Sequence, residues 1–224
     1  MKKLQTQENQ VSYVAVFSRP AFALWGQGGR ILDGLFTAFE KRGISLSDFV
    51  FDQTSQVPAA QSITVNLSPS CYFKFQLERI ESVLKNFTDQ DLMLFAEILQ
   101  QTTDWLRPAA PGLSFKSHLF GYFGHSRLSE GTSRDVLASF PTVSVPDIGV
   151  SEGNGIIFHW KLPEREWKIQ LTIDHSLTIQ NGLFTQFFLL IPGDSIDYRK
   201  VATAGRDIME KALNHIGLES DNGN

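Results

Sequence analysis

Two spacings alternate along this chain. Short runs with every second residue apolar read as strands, and longer runs with apolar residues three or four apart read as helices. In VSYVAVF, Val11, Tyr13, Ala15 and Phe17 hold one phase, and the other phase is also fairly apolar, as in a strand well inside a sheet. A helix follows over GRILDGLFTAFEKRG, with Leu32, Leu35, Phe36 and Phe39 on one face, Lys41 and Arg42 in its last turn and Gly43 as its stop. ITVNL and YFKFQL turn Ile63, Val65, Leu67, Phe73, Phe75 and Leu77 inward. The next helix opens at Thr88 with Asp91 in a capping box and buries Leu92, Phe95, Ala96, Leu99, Thr103 and Leu106. Pro108 and Pro111 end it.

Residues 113–123 read as a strand with a glycine bend, and GHSRLSEGTSRD as a loop. TVSVP reads as a short strand. IIFHWKL and WKIQLTIDHSLTIQ form a hairpin across PERE, with Trp167, Ile169, Leu171, Ile173, Leu177 and Ile179 in one phase. LFTQFFLLIPG is a third strand, and the last helix buries Val201, Ile208, Met209, Ala212 and Ile216. The fold class expected is therefore α+β, a mostly antiparallel sheet with about three packed amphipathic helices on one side. A strand–strand–helix module occurs twice, which gives halves 11–110 and 111–217 within one domain. Residues 1–10 and 218–224 are polar and expected to be disordered.

A chain of 224 residues with 42% hydrophobic residues and 18 Phe builds a substantial core without staples. Its single cysteine, Cys71, excludes an internal disulfide and suits a reducing compartment. The longest apolar stretch, LFTQFFLLIP, is too short to span a membrane, which takes about 20 residues. A cytoplasmic protein without a membrane partner is expected. The net charge of −4 argues against nucleic acid as a partner.

Candidate chemistry is sparse. Gly28, Gly29 and Arg30 precede a helix and are the candidate anion seat, but neither a P-loop lysine nor a dinucleotide glycine follows. His118 and His125 are seven residues apart on an extended segment, about 23 Å by strand rise, and face opposite ways. Asp174, His175 and Ser176 are neighbours on a strand, so they cannot form a hydrogen-bonded triad there. No catalytic residue, metal site or cofactor is assigned. The candidate binding residues are Phe120, Tyr122, Phe123 and His125 of FGYFGH, with Trp160 and His175.

IIFHWKL and LFTQFFLLI are apolar in both phases, and such strands need cover on both faces. One layer of helices covers one face; the other is left for a second sheet or another chain. The stretch LTIDHSLTIQNGLFTQFFLLIPGDSIDYRKVATAGRDIMEKALNHIG, with helix ends WLRP and NHIGLES, resembles the SecB-like bacterial proteins. That resemblance implies an antiparallel sheet with long helices, self-association and binding to proteins, and it transfers no site residues. The expected function is a non-enzymatic protein-binding or assembly module of a bacterial cytoplasm, with a protein partner or a homo-oligomer. The alternatives are an enzyme or small-ligand binder using Arg30, His118, His125 and His175, and a nucleic-acid accessory factor.

Overall fold

The computed structural model describes residues 1–52, 57–141 and 154–221. Among these residues the chain is α+β, with five α-helices and a large, mostly antiparallel sheet of ten strands. The first run of elements is β1 (Lys2–Phe17), α1 (Phe22–Trp25), α2 (Gly28–Phe39), β2 (Phe49–Asp52), β3 (Ser62–Ser68), β4 (Cys71–Gln76), β5 (Arg79–Lys85) and α3 (Asp89–Ala109). The second is β6 (Phe115–Leu128), α4 (Ser133–Leu137), β7 (Ile156–Leu162), β8 (Trp167–His175), β9 (Leu183–Pro192), α5 (Tyr198–His215) and β10 (Leu218–Asp221). Nine strands follow the order β2-β3-β4-β5-β1-β6-β9-β8-β7, and β10 pairs with β1. Both runs share one connection rule: a long strand, then helix, meander and long helix. The long strand neighbours the last strand of its own meander, β1 by β5 and β6 by β9.

The chain forms two compact units. The first comprises the described parts of 1–10, 121–189 and 204–224, and the second comprises 11–120 and 190–203. In the second unit, the helices cover the phase of the sheet that carries Tyr13, Phe73 and Phe75. The Thr88 capping box forms as expected: its hydroxyl accepts from Asp91 N at 3.3 Å, and Asp91 Oδ2 accepts from Thr88 N at 2.9 Å. All six residues of the expected α3 stripe are buried, together with Ile98 and Thr102. α2 gives way to a single 3-10 turn, Glu40–Arg42, and Gly43 closes that turn at φ +77°, a left-handed stop that glycine provides without strain. α2 and α3 approach closely because Gly34 lacks a side chain: a Cβ there would sit 1.9 Å from the Trp105 ring. In the first unit α5 packs by the same device, with Gly205 against Tyr122 and Leu189.

Several expectations are corrected. Residues 2–10 belong to β1, and residues 218–221 form β10, which pairs in parallel with residues 2–5. Few apolar residues mark either segment, and mutual pairing plus burial of Leu4 and Leu218 orders them. α3 runs through Pro108 to Ala109, because a proline near the last turn leaves most of the preceding hydrogen bonds intact. Residues 115–128 continue as one strand through both glycines, and GHSRLSEGTSRD is divided between β6 and the capped helix α4. β2 occupies part of the expected loop after Ser45. β8 stops at His175, so Leu177 is out of the stripe and 97% exposed. In α5, Val201 is buried, while Ile208, Met209, Ala212 and Ile216 are only half-buried. TVSVP lies outside the described residues.

Candidate binding face

Of the expected site residues, Phe120 and Tyr122 are core residues. Phe120 is buried in the second unit against Tyr13, with ring centroids 4.9 Å apart, and Tyr122 is buried in the first against Phe187 at 6.2 Å. Strand alternation explains the split within FGYFGH. Even positions from 118 to 126 on β6 point into the core, so Phe123 and His125 fall on the other face and stay half-exposed.

That other face of the first unit is paved with half-covered rings. Phe123 meets Phe188 edge-on at 5.6 Å, and His125 meets Phe184 at 4.9 Å. Their strand neighbours in the core phase, Leu183, Thr185, Phe187 and Leu189, are buried. Gln170 and Thr172 of β8 share the uncovered phase, because Ile169, Leu171 and Ile173 take the buried one. The β7–β8 register adds Ile157 beside Thr172, His159 beside Gln170 and Lys161 beside Lys168. Arg127 follows His125 in phase and is exposed. Trp160 lies on the opposite phase of β7, beside Ile169, stacked on Phe158 at 5.5 Å and 39% exposed.

Two serine–histidine pairs flank this region of the first unit. His125 Nδ1 lies 2.9 Å from Ser176 Oγ, and His175 Nδ1 lies 2.8 Å from Ser133 Oγ. The pairs are on different sides, since His175 shares the buried phase of β8. Ser176 Oγ also accepts from the backbone N–H of Thr178 and Ile179, so it staples a turn. Ser133 is buried in the first turn of α4. His175 Nε2 is buried without a partner, so no carboxylate orients that ring as a serine–histidine catalytic unit requires.

In the second unit a group of buried hydroxyls hydrogen-bonds to itself and to one nitrogen of His118, while His118 Nε2 is buried without a hydrogen-bond partner. Tyr13 Oη lies 2.7 Å from His118 Nδ1 and 3.0 Å from Tyr198 Oη, which lies 2.6 Å from Thr103 Oγ1. The Thr103 hydroxyl donates to the Leu99 carbonyl. Burial pushes the His118 imidazole down to about 4; the carbonyls of Asp194 and Gly193 and the Asp194 charge pull the other way without prevailing. Burial likewise raises Tyr13 and Tyr198. Asp194 accepts from Phe115 N at 2.6 Å and from Arg107 at 3.0 Å; burial opposes its charge, yet these donors hold its carboxyl below the usual range. The His118 ring is thus a neutral core group.

The remaining candidates stand apart. Arg30 is exposed at the start of α2, and its N–H and that of Ile31 both donate to Gln27 O, which occupies two of the donors an anion would use. Burial pushes the Cys71 thiol up to about 11. Among the described residues no group of three or more His, Cys, Asp or Glu is placed to hold a metal ion, and no helix is long and apolar enough to cross a membrane.

No protein-family model matches the chain, nor does any curated protein. A solved structure of the rolling circle replication initiator protein from Geobacillus stearothermophilus is similar over 94% of this chain and 84% of that one. The identity is 10% and the TM-score 0.33, and at that score it carries neither fold nor function to this chain. Two expectations are corrected. That solved structure is a replication initiator and not a SecB-like protein, and the stretch behind the resemblance is β8, β9 and α5, a generic strand–strand–helix succession. The exclusion of nucleic acid as a partner is withdrawn as well: the neighbour is named a replication initiator, and a whole-chain charge does not describe a single face. The net charge sums the whole chain, whereas this half-exposed face carries Arg127, Lys161 and Lys168 against Asp174 among the described residues.

Proposed function

We propose that this chain is a non-enzymatic binding module whose contact surface is the uncovered sheet face of the first unit. The observation that carries this reading is the pair of half-exposed ring contacts, Phe123–Phe188 and His125–Phe184, on strands whose other phase is core. Aromatic side chains kept partly in water at the middle strands of a sheet contribute little to folding and much to an interface. The two serine–histidine pairs favour binding over catalysis, because one serine staples a turn and the other is buried without an oriented base.

The test compares what the purified chain retains from its host with what a Phe123→Ser/Phe188→Ser variant retains. Loss of a stoichiometric macromolecule, with thermal stability kept within a few degrees, is expected. Identical retention by both forms would sink the proposal.

A further inference from the structure

We infer that the ligand of this face is single-stranded nucleic acid, an inference that rests on the binding-face reading above. Three features of the face point to it together. First, Phe123, Phe184, Phe188 and His125 offer ring surfaces on a sheet, the platform on which unpaired bases stack. Second, the exposed cations Arg127, Lys161 and Lys168 share the phase of those rings on their own strands. Lys161 and Lys168 are cross-strand neighbours, so their charges add at one spot where a phosphate backbone would pass. Third, the groups between are Gln170, Gln186 and Thr172, uncharged donors and acceptors suited to base edges.

The acidic groups nearby reduce this charge without reversing it: Asp174 shares the phase of Lys168 on β8, and Glu164 and Glu166 of the β7–β8 turn are offset in part by Arg165 between them. A protein partner fits less well. Protein interfaces are depleted of lysine, and here a lysine pair shares the phase of the rings. Duplex is excluded by the geometry of the platform, because paired bases hide the ring faces that Phe123 and Phe188 would meet.

The test is fluorescence anisotropy of the full chain with a labelled oligothymidylate of about 12 nucleotides, within the ~4–16 nucleotide footprint of comparable platforms. The expected result is binding that Phe188→Ser weakens roughly tenfold or more, the loss of about one stacked base. Lys161→Ala/Lys168→Ala should flatten the salt dependence by about 1.4 in log–log slope, from ~0.7 per phosphate contact. Phe188 is half-exposed, so its variant is expected to fold, and circular dichroism checks this.

Three outcomes overturn the inference. One is no anisotropy change at roughly 100 µM chain, the weak limit of non-specific binding. Another is binding that depends on the lysines and is indifferent to Phe188. The third is equal competition by duplex. If the oligonucleotide is ignored while Phe188→Ser sheds a retained protein, the nucleic-acid inference falls and the binding face stands. If Phe188→Ser changes nothing the chain retains, both fall.

Discussion

The second unit hides its histidine, and the first unit displays one. His118 is buried among Tyr13, Tyr198 and Thr103, and each hydroxyl of that group has a partner inside the core. His125 lies on a face that the described residues leave half-exposed, leaning on Phe184 and tied by one hydroxyl. One region ties its hydroxyls into a buried network, whose worth is cohesion, with His118 Nε2 as the one polar atom of the group left without a partner. The other leaves rings and amides half in water, an arrangement that costs little stability and keeps them free to meet a ligand. Sequence-identical residue types thus serve opposite ends, and the strand phase alone decides which.

The largest test of this contrast uses adjacent residues of β9. Phe187→Ala, which opens the core, should destabilise by about 3–5 kcal/mol in urea denaturation. Phe188→Ala, one residue on and on the open face, should cost about 1 kcal/mol or less. Similar losses for both would show that the open face is packed.

The next test is acid titration of stability. The His118 pKa falls from 6.5 to about 4 on folding, so the unfolded chain binds the extra proton between those values. Its contribution is complete above pH 6.5 and is lost as pH falls toward 4, roughly 3 kcal/mol in all. His118→Phe should remove that slope. The carboxylates Asp91, Asp194 and Asp197, whose folded values are lowered, act below about pH 4, a separate window.

Smaller effects concern the helices. Gly34→Ala places a methyl into the Trp105 ring and should cost about 1–3 kcal/mol by the same denaturation assay. Thr88→Ala removes the α3 cap and should cost ~1 kcal/mol, with early exchange of the first-turn amides as its second signature.

What was legible in the sequence was local. The α3 stripe, its cap at Thr88 and the stop at Gly43 are set by periodicity and backbone chemistry within a few residues, and the structure shows all three. The β7–β8 hairpin across residues 163–166 was legible for the same reason. The candidate site was legible only in part. FGYFGH marked the strand, but its phase is fixed by which residues the sheet buries, and Phe120 and Tyr122 went inward. Phe184 and Phe188 belong to a strand that reads as apolar on both faces, while their pairing with His125 and Phe123 depends on partners about sixty residues away. The Tyr13–His118–Tyr198–Thr103 network joins four segments and leaves no local signature.

The pairing of β10 with the start of β1 has a consequence for how the chain is made. Residues 2–5 reach their neighbours at 218–221 only after every other described element has left the ribosome. Until then Leu4 lacks the strand that helps to bury it, and the outer half of β1 presents a free edge to whatever else is nearby. The contact joins residues 216 positions apart (218 − 2), so its loop closure comes late and slowly. Joining these two segments is therefore a late fastening step, and a chaperone that shields the first half of β1 has the synthesis of all the intervening elements in which to act.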